Sequence, residues 1–280
     1  MAPPETPSGL EGPLGGQATT LDDFLGGRLR LRQPAGGFRA GLDSVILAAA
    51  VEARPGDLLF EPGMGVGVAS LCAAHRLPGT RIIGAEMDRG AAALARVNIR
   101  ANGMSGRVEV VEADVGALPT PLAEASFDHV FLNPPFQPDG SGTRPPDASR
   151  ARAHMEQGGE LETWLGIALA RVKDKGRVTL VHRADRLERI LGILDGALGE
   201  IVLHPLWPMT GRPAKRVLIT GRRGVRGGLT LSPGLVLHRA DGQPSPRLDA
   251  IARHGAPFIP DGPETGAATD CGPMPTGKGR

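Results

Sequence analysis

Arg28-Leu29-Arg30-Leu31-Arg32 alternates charged and apolar residues, the period of a strand with one face in solvent. Pro34-Ala35-Gly36-Gly37 then predicts a reversal into Phe38-Arg39, and so an N-terminal β-hairpin. Asp43 is placed to cap a helix running to about Ala53, with Val45, Leu47 and Ala48 on its inner face. Pro55-Gly56-Asp57 ends that helix. From Leu58 onward, short apolar runs alternate with longer stretches of helical period. Strands are predicted at Leu58 to Phe60, Arg81 to Ala85, Arg107 to Val111, Phe127 to Leu132 and Arg177 to Val181. Helices are predicted from a glycine loop to about Arg76, from Arg89 to Ala101, from Leu161 to Val172 and from Ala184 to Leu198. Glu200 to Leu206 and Lys215 to Thr220 follow with no useful helix between them, which predicts an antiparallel pair. The pattern is that of an α/β fold: a seven-stranded, mostly parallel sheet with helices on both faces, a terminal antiparallel hairpin, and an N-terminal β-hairpin plus helix.

Composition sets the limits of that domain. Residues 1–20 and 257–280 are rich in Pro, Gly and Thr without periodicity and are expected to be disordered, leaving one domain over 21–256. The chain has 280 residues, 40% hydrophobic and 22% charged, which suits a soluble globular protein. Its first residues have neither a basic start nor an apolar stretch, and the longest apolar run, Val45 to Val51, is too short for a bilayer, so no membrane association is expected. Two cysteines, Cys72 in a predicted helix and Cys271 in the tail, have no metal-site spacing. Cys72 reads as a small buried residue, and the expected compartment is a reducing cytoplasm, with no metal.

Charge is uneven. Between Arg144 and Arg226 there are sixteen Lys or Arg against nine Asp or Glu, in a chain whose net charge is only +2. Such a half suits a polyanion, although the use of 28 arginines against four lysines also reads as a general compositional bias. With no Tyr and 3% aromatic residues, an extended base-stacking platform is absent.

The candidate chemistry sits where strands end. Glu61-Pro62-Gly63-Met64-Gly65-Val66-Gly67 leaves a strand and opens a helix, so Gly63, Gly65 and Gly67 can let the backbone approach a ligand. Dinucleotide sites use Gly-x-Gly-x-x-Gly; here the third glycine comes one residue early and Glu61 precedes the first. That suits a ligand with an amino-acid end, its ammonium met by carbonyls and by Glu61. Glu86 ends the next strand and can accept from ribose hydroxyls, with Asp88 as the near alternative. Asp114 follows the third strand and can accept from an adenine amine. The fourth strand ends in Asn133-Pro134-Pro135-Phe136. There the Asn133 oxygen and the Pro134 carbonyl can accept from a planar NH2 group, Pro135 stiffens the turn, and Phe136 can stack on the ring. Arg150, Arg152 and His154, and a second cluster of Arg212, Lys215, Arg216, Arg222 and Arg223, can reach phosphates or simply form solvated basic surface.

In this order, Glu61-x-Gly63-x-Gly65-x-Gly67, Glu86, Asp114 and Asn133-Pro134-Pro135-Phe136 resemble the S-adenosylmethionine-dependent methyltransferases of planar nitrogens, which implies a Rossmann-like class I methyltransferase fold. Phe38-Arg39-Ala40-Gly41-Leu42-Asp43-Ser44-Val45-Ile46-Leu47 and Gly234-Leu235-Val236-Leu237-His238-Arg239-Ala240-Asp241-Gly242 are similar to segments of bacterial tRNA adenine-N6 methyltransferases, which modify the adenine beside the anticodon of a valine tRNA. The resemblance covers about residues 21 to 254. It implies S-adenosyl-L-methionine as cofactor and tRNA as partner. Met64 stands where a small or polar residue is usual, and Phe136 where Tyr is commoner. A protein glutamine-N5 methyltransferase, an N6-adenine methyltransferase of rRNA or DNA, and a non-catalytic RNA-binding protein on the same scaffold are the alternatives.

Overall fold

The computed structural model describes residues 18–36, 39–135 and 160–261. The chain opens on β1 (Thr19–Phe24) and β2 (Leu29–Pro34), an antiparallel pair running from Phe24 opposite Leu29 to Thr19 opposite Pro34. Gly26 and Gly27, at φ 66° and 83°, supply the left-handed backbone that turns one into the other. The N-terminal hairpin therefore lies one strand earlier than the sequence pattern predicts. Arg39 is outside any strand, Phe38 lies outside the described residues, and β1 starts inside the stretch expected to be a tail. Helix α1 (Leu42–Ala50) is capped by Gly41 rather than Asp43 and stops short of Ala53. Asp43 instead sits in its first turn and pairs with Arg216 at 3.1 Å.

The alternating body follows: β3 (Leu58–Pro62), α2 (Val68–Arg76), β4 (Arg81–Glu86), α3 (Arg89–Ala101), β5 (Val108–Glu112), α4 (Thr120–Glu124) and β6 (Phe127–Leu132). After the undescribed segment come α5 (Glu160–Arg171), β7 (Val172–Arg183), α6 (Leu187–Leu194), β8 (Leu198–Met209) and β9 (Arg216–Arg223). The helix expected over Ala184 to Leu198 is a single 3-10 turn followed by α6, because β8 already begins at Leu198. Two short strands, β10 (Thr230–Leu231) and β11 (Leu235–His238), precede α7 (Pro246–His254). Ser245 caps α7 by accepting from Leu248 N–H at 3.1 Å, Pro246 opens it, and Gly255 closes it at φ 64°.

The sheet runs β5-β4-β3-β6-β7-β9-β8. The first five are parallel, and β9 is antiparallel to both of its neighbours. The expected seven strands are present, but β10 and β11 each add in parallel to β8, so the sheet has nine strands among the described residues. Helices cover both faces. On one, Ile46, Leu47, Leu71 and Ile99 pack with Leu29 and Leu31 of the hairpin and Leu248 of α7. On the other, Phe60 and Phe127 stack at 4.7 Å among Leu165, Leu180 and Ile190. Strands buried this way read as apolar runs rather than alternations, which is why Phe127–Leu132 was legible. The histidine inside that run is satisfied: the His129 ring meets Glu52 O and Thr179 Oγ1, both at 2.8 Å, and burial holds its pKa down to about 4. No helix among the described residues is long and apolar enough to cross a membrane.

Because β3, β4, β5 and β6 are parallel, their carboxyl ends share one edge of the sheet. The antiparallel β9 brings the β8–β9 connection to that same edge, with Arg216 opposite Arg183 at the end of β7.

Candidate active site

Four strand ends present their side chains along this edge in the order Asp114, Glu86, glycine loop, Asn133. Each strand step is about 4.8 Å, so the row spans about 14 Å.

The glycine loop is held from below. Gly63 N–H and Met64 N–H both donate to Ala85 O, at 2.8 and 3.0 Å, and Gly67 N–H turns back to Met64 O at 3.0 Å. Gly63 has φ 72°, and a Cβ there would lie 2.6 Å from Cη2 of Trp164 on α5. Only glycine fits both the backbone and that ring. Met64, noted above as the departure from a small or polar residue, is buried where β4 has Gly84; a Cβ at position 84 would overlap the Met64 side chain. The bulk of Met64 thus packs against Gly84 of β4.

Glu61 lies beneath the loop at 4% exposure. Its carboxyl accepts from Ser70 Oγ and from the Ser70 backbone N–H in the first turn of α2, so it caps that helix from a distance. Burial pushes its pKa up to about 8, opposed by the Ser70 bonds and helped by the nearby Glu86 charge. The same burial, with Glu61 beside it, pushes the Cys72 thiol up to about 12, consistent with the inert buried residue expected there. Cys271 lies outside the described residues.

Glu86 is half-buried at the tip of β4. One oxygen accepts from Gly65 N–H and the other from Asp88 N–H, both at 2.8 Å. The rival acceptor Asp88 is committed elsewhere, capping α3 through Ala91 N–H at 2.7 Å. Beside Glu86, Met87 is one of the few exposed large apolar side chains. Asp114 is exposed; one oxygen accepts from Gly116 N–H at 2.8 Å and shapes the one-turn 3-10 helix Val115–Ala117. Its other oxygen has no partner among the described residues.

Asn133 leaves β6 directly. β3 and β6 are paired in parallel, Phe60 opposite Val130, so Gly63 and Asn133 each follow directly on the ends of neighbouring strands. The Asn133 Oδ1 atom is buried and has no hydrogen-bond partner among the described residues. Buried polar groups are nearly always paired, and an orphan acceptor costs about 1–3 kcal/mol. Here it points to a donor supplied by a ligand. Pro134 is buried and Pro135 exposed; Phe136 lies outside the described residues. Trp164 Nε1, beside Gly63, is likewise buried with no partner among the described residues.

The basic residues divide. Arg212 and Lys215 are exposed in the β8–β9 connection at the site's edge. Arg216 is beside them, half-buried on Asp43. Arg222 and Arg223 lie at the opposite edge, where Arg222 pairs with Arg177 across the ladder. There Arg222 meets Glu200 at 3.1 Å and Arg223 donates to Val172 O at 2.9 Å. The cluster expected as one patch is therefore two, and the second is structural. Arg150, Arg152 and His154 lie outside the described residues.

Ser70, Met87 and Trp164 were missed from sequence. Ser70 is recognisable only once β3 and α2 are packed together. Trp164 carried a faint signal, as one of two tryptophans in a chain poor in aromatic residues.

The arrangement fits a ligand with an adenine, a ribose and an amino-acid end, in the order of the strand ends, with a planar amine presented at Asn133. Residues 40–167 match the family model of the methyltransferase small domain. Over 219 residues the chain is 31% identical to a tRNA1(Val) (adenine(37)-N6)-methyltransferase of Porphyromonas gingivalis, covering 74% of this chain and 84% of that one. A protein of the same description from Aeromonas hydrophila is 30% identical over 212 residues, covering 75% and 86%. Among solved structures, a predicted O-methyltransferase from Agrobacterium tumefaciens aligns with a TM-score of 0.64 at 24% identity, over 77% of this chain and 98% of that one, which shows the shared fold.

Proposed function

Because the chain belongs to the tRNA1(Val) (adenine(37)-N6)-methyltransferase family, we propose that it methylates N6 of an anticodon-loop adenine in a valine tRNA, with S-adenosyl-L-methionine as methyl donor. The observation that carries this reading is the buried Oδ1 of Asn133, which has no partner among the described residues and lies just past β6, the neighbour of the strand that leads into the glycine loop.

When bound, S-adenosyl-L-methionine supplies a methyl group activated by its own sulfonium charge. The residues that would hold it are Asp114 and Met87 at the adenine, Glu86 at the ribose, and Gly63, Gly65 and Gly67 with Glu61 at the amino-acid end. Asn133 Oδ1 and the Pro134 carbonyl accept the two hydrogens of the target amine. That orients the nitrogen and favours its pyramidal form, in which the lone pair is freed from the ring. Asn133 does not abstract the proton, which leaves to water after transfer. Phe136 would stack on the splayed base, and Pro135 holds the turn between amide and ring. Arg212, Lys215 and Arg216 at the same edge, with Arg150 and Arg152, would meet the phosphates. The work takes place in the cytoplasm, where tRNA is.

The test is Asn133→Ala. Calorimetry should find cofactor affinity within about twofold of wild type, while labelled-methyl transfer to tRNA falls by about 10²–10³. Full activity would overturn the assignment of Asn133. Offering the wild-type protein tRNA alongside release-factor and ribosomal proteins checks the substrate. Label appearing on protein glutamine, and not as N6-methyladenosine in tRNA, would overturn the RNA reading.

A further inference from the structure

Asn98 in α3 and Asn102, the residue at its C-terminal cap, stand about one turn apart, and both grip the backbone of β2. Asn102 Oδ1 accepts from Arg30 N–H at 3.1 Å and Nδ2 donates to Arg30 O at 3.0 Å. Asn98 does the same two residues along, accepting from Arg32 N–H at 2.7 Å and donating to Arg32 O at 3.0 Å. The helical step of four and the strand step of two coincide, so each carboxamide stands in for a ladder partner.

The two differ in the second Nδ2 hydrogen. That of Asn102 goes to Asn98 O within its own helix, at 2.8 Å. That of Asn98 goes to Val66 O, in the glycine loop, at 2.9 Å. Asn98 is 1% exposed, and its one acceptor and both of its donor hydrogens are used. The peptide between Val66 and Gly67 is thereby held at both ends: its carbonyl by Asn98, its N–H by Met64 O at 3.0 Å. Its plane follows, and with it the direction in which the loop and the first turn of α2 present their N–H groups.

We propose that Asn98 is a positioning residue for cofactor binding, which fixes the Val66–Gly67 peptide and ties the glycine loop to the N-terminal hairpin. This rests on the reading of that loop as the cofactor site. Without the Asn98 donor, the buried Val66 carbonyl gains by rotating toward water, which replaces an inward carbonyl with an outward one at the ligand's amino-acid end. Asn102 is the internal control, since it docks the same strand in the same way and does not touch the loop.

The experiment compares Asn98→Ala with Asn102→Ala in the full chain. Melting temperature and calorimetric affinity for S-adenosylhomocysteine are measured for each, with binding read well below each midpoint. Both variants should melt earlier. Asn98→Ala should bind roughly five- to tenfold more weakly, the share of one neutral hydrogen bond, and Asn102→Ala within about twofold of wild type. In turnover, Asn98→Ala should raise the KM for the methyl donor and keep kcat at saturation. Should Asn98→Ala fail to fold, Asn98→Ser, whose hydroxyl retains one partner, is read the same way. Equal weakening in both variants, or unchanged affinity in Asn98→Ala, overturns the proposal. A wild-type protein that binds neither S-adenosylhomocysteine nor S-adenosylmethionine overturns the cofactor reading itself, a distinct result.

Discussion

Replacing Glu61 with glutamine isolates the energetics of one buried acid. In the folded protein its pKa is pushed up to about 8 by burial, against 4.5 for the ordinary side chain. Between those values the folded protein keeps a proton that the unfolded chain has released. The stability this confers is complete below about pH 4.5 and is lost as pH rises to about 8. At about 1.4 kcal/mol per pH unit, the whole window amounts to roughly 5 kcal/mol. His129, His182 and His204 act in the opposite direction. Burial lowers each to about 4, so the unfolded chain takes up protons below 6.5 that the folded one refuses. Their contribution is lost as pH falls from 6.5 toward 4, and it masks Glu61 in the wild-type profile. Glutamine keeps the shape and can serve both Ser70 groups, while the histidines are common to both proteins. The difference in unfolding free energy, Glu61→Gln minus wild type, should therefore climb by about 1 kcal/mol or more per unit between pH 5 and 8 and level off above. Urea unfolding in matched buffers measures it. Thermal midpoints should diverge by roughly 2–4 °C per kcal/mol over the same range. A difference that stays flat from pH 5 to 8 would refute the buried, protonated acid.

Gly63→Ala forces a side chain into left-handed backbone and onto Trp164; unfolding should show a loss of roughly 2–4 kcal/mol, part of it recovered when Trp164 is also cut to Ala. Affinity for tRNA should fall steeply with salt, and the slope of log K against log salt should shrink by about one for each of Arg212→Ala and Lys215→Ala. Arg222→Ala, at the opposite edge, should leave that slope unchanged; equal effects from all three would remove the basic edge from the interface.

What could be read from the chain depended on whether the information was local. Phe127–Leu132 and Arg89–Ala101 have the expected bounds, because one is an uninterrupted apolar run and the other is fixed by Asp88 before it and Asn102-Gly103 after it. The parallel order of the sheet followed from the alternation of strands and helices. The hairpin did not, because two turn signals flank β2: Gly26-Gly27 before it and Pro34 to Gly37 after it. Tertiary contacts decide between them. β1 has two successive acids and little alternation, yet Asp22 accepts from Gln33 Nε2 at 2.6 Å, and Gln33 in turn accepts from Ala40 N–H at 2.9 Å. Asp43 looked like a cap because capping residues are read from neighbours, whereas its partner Arg216 is far along the chain. The strand ends of the site were visible because each is a local motif. The bonds that orient them, from Ser70 to Glu61, Gly65 to Glu86 and Asn98 to Val66, join elements the sequence keeps apart.

The pairing of Gly63 with Trp164 bears on how this scaffold can be re-engineered. Trp164 sits on α5 and fills the space that a side chain at position 63 would need. Any redesign of the loop must therefore treat Gly63 and Trp164 as one coupled pair, since neither residue can grow unless the other gives way.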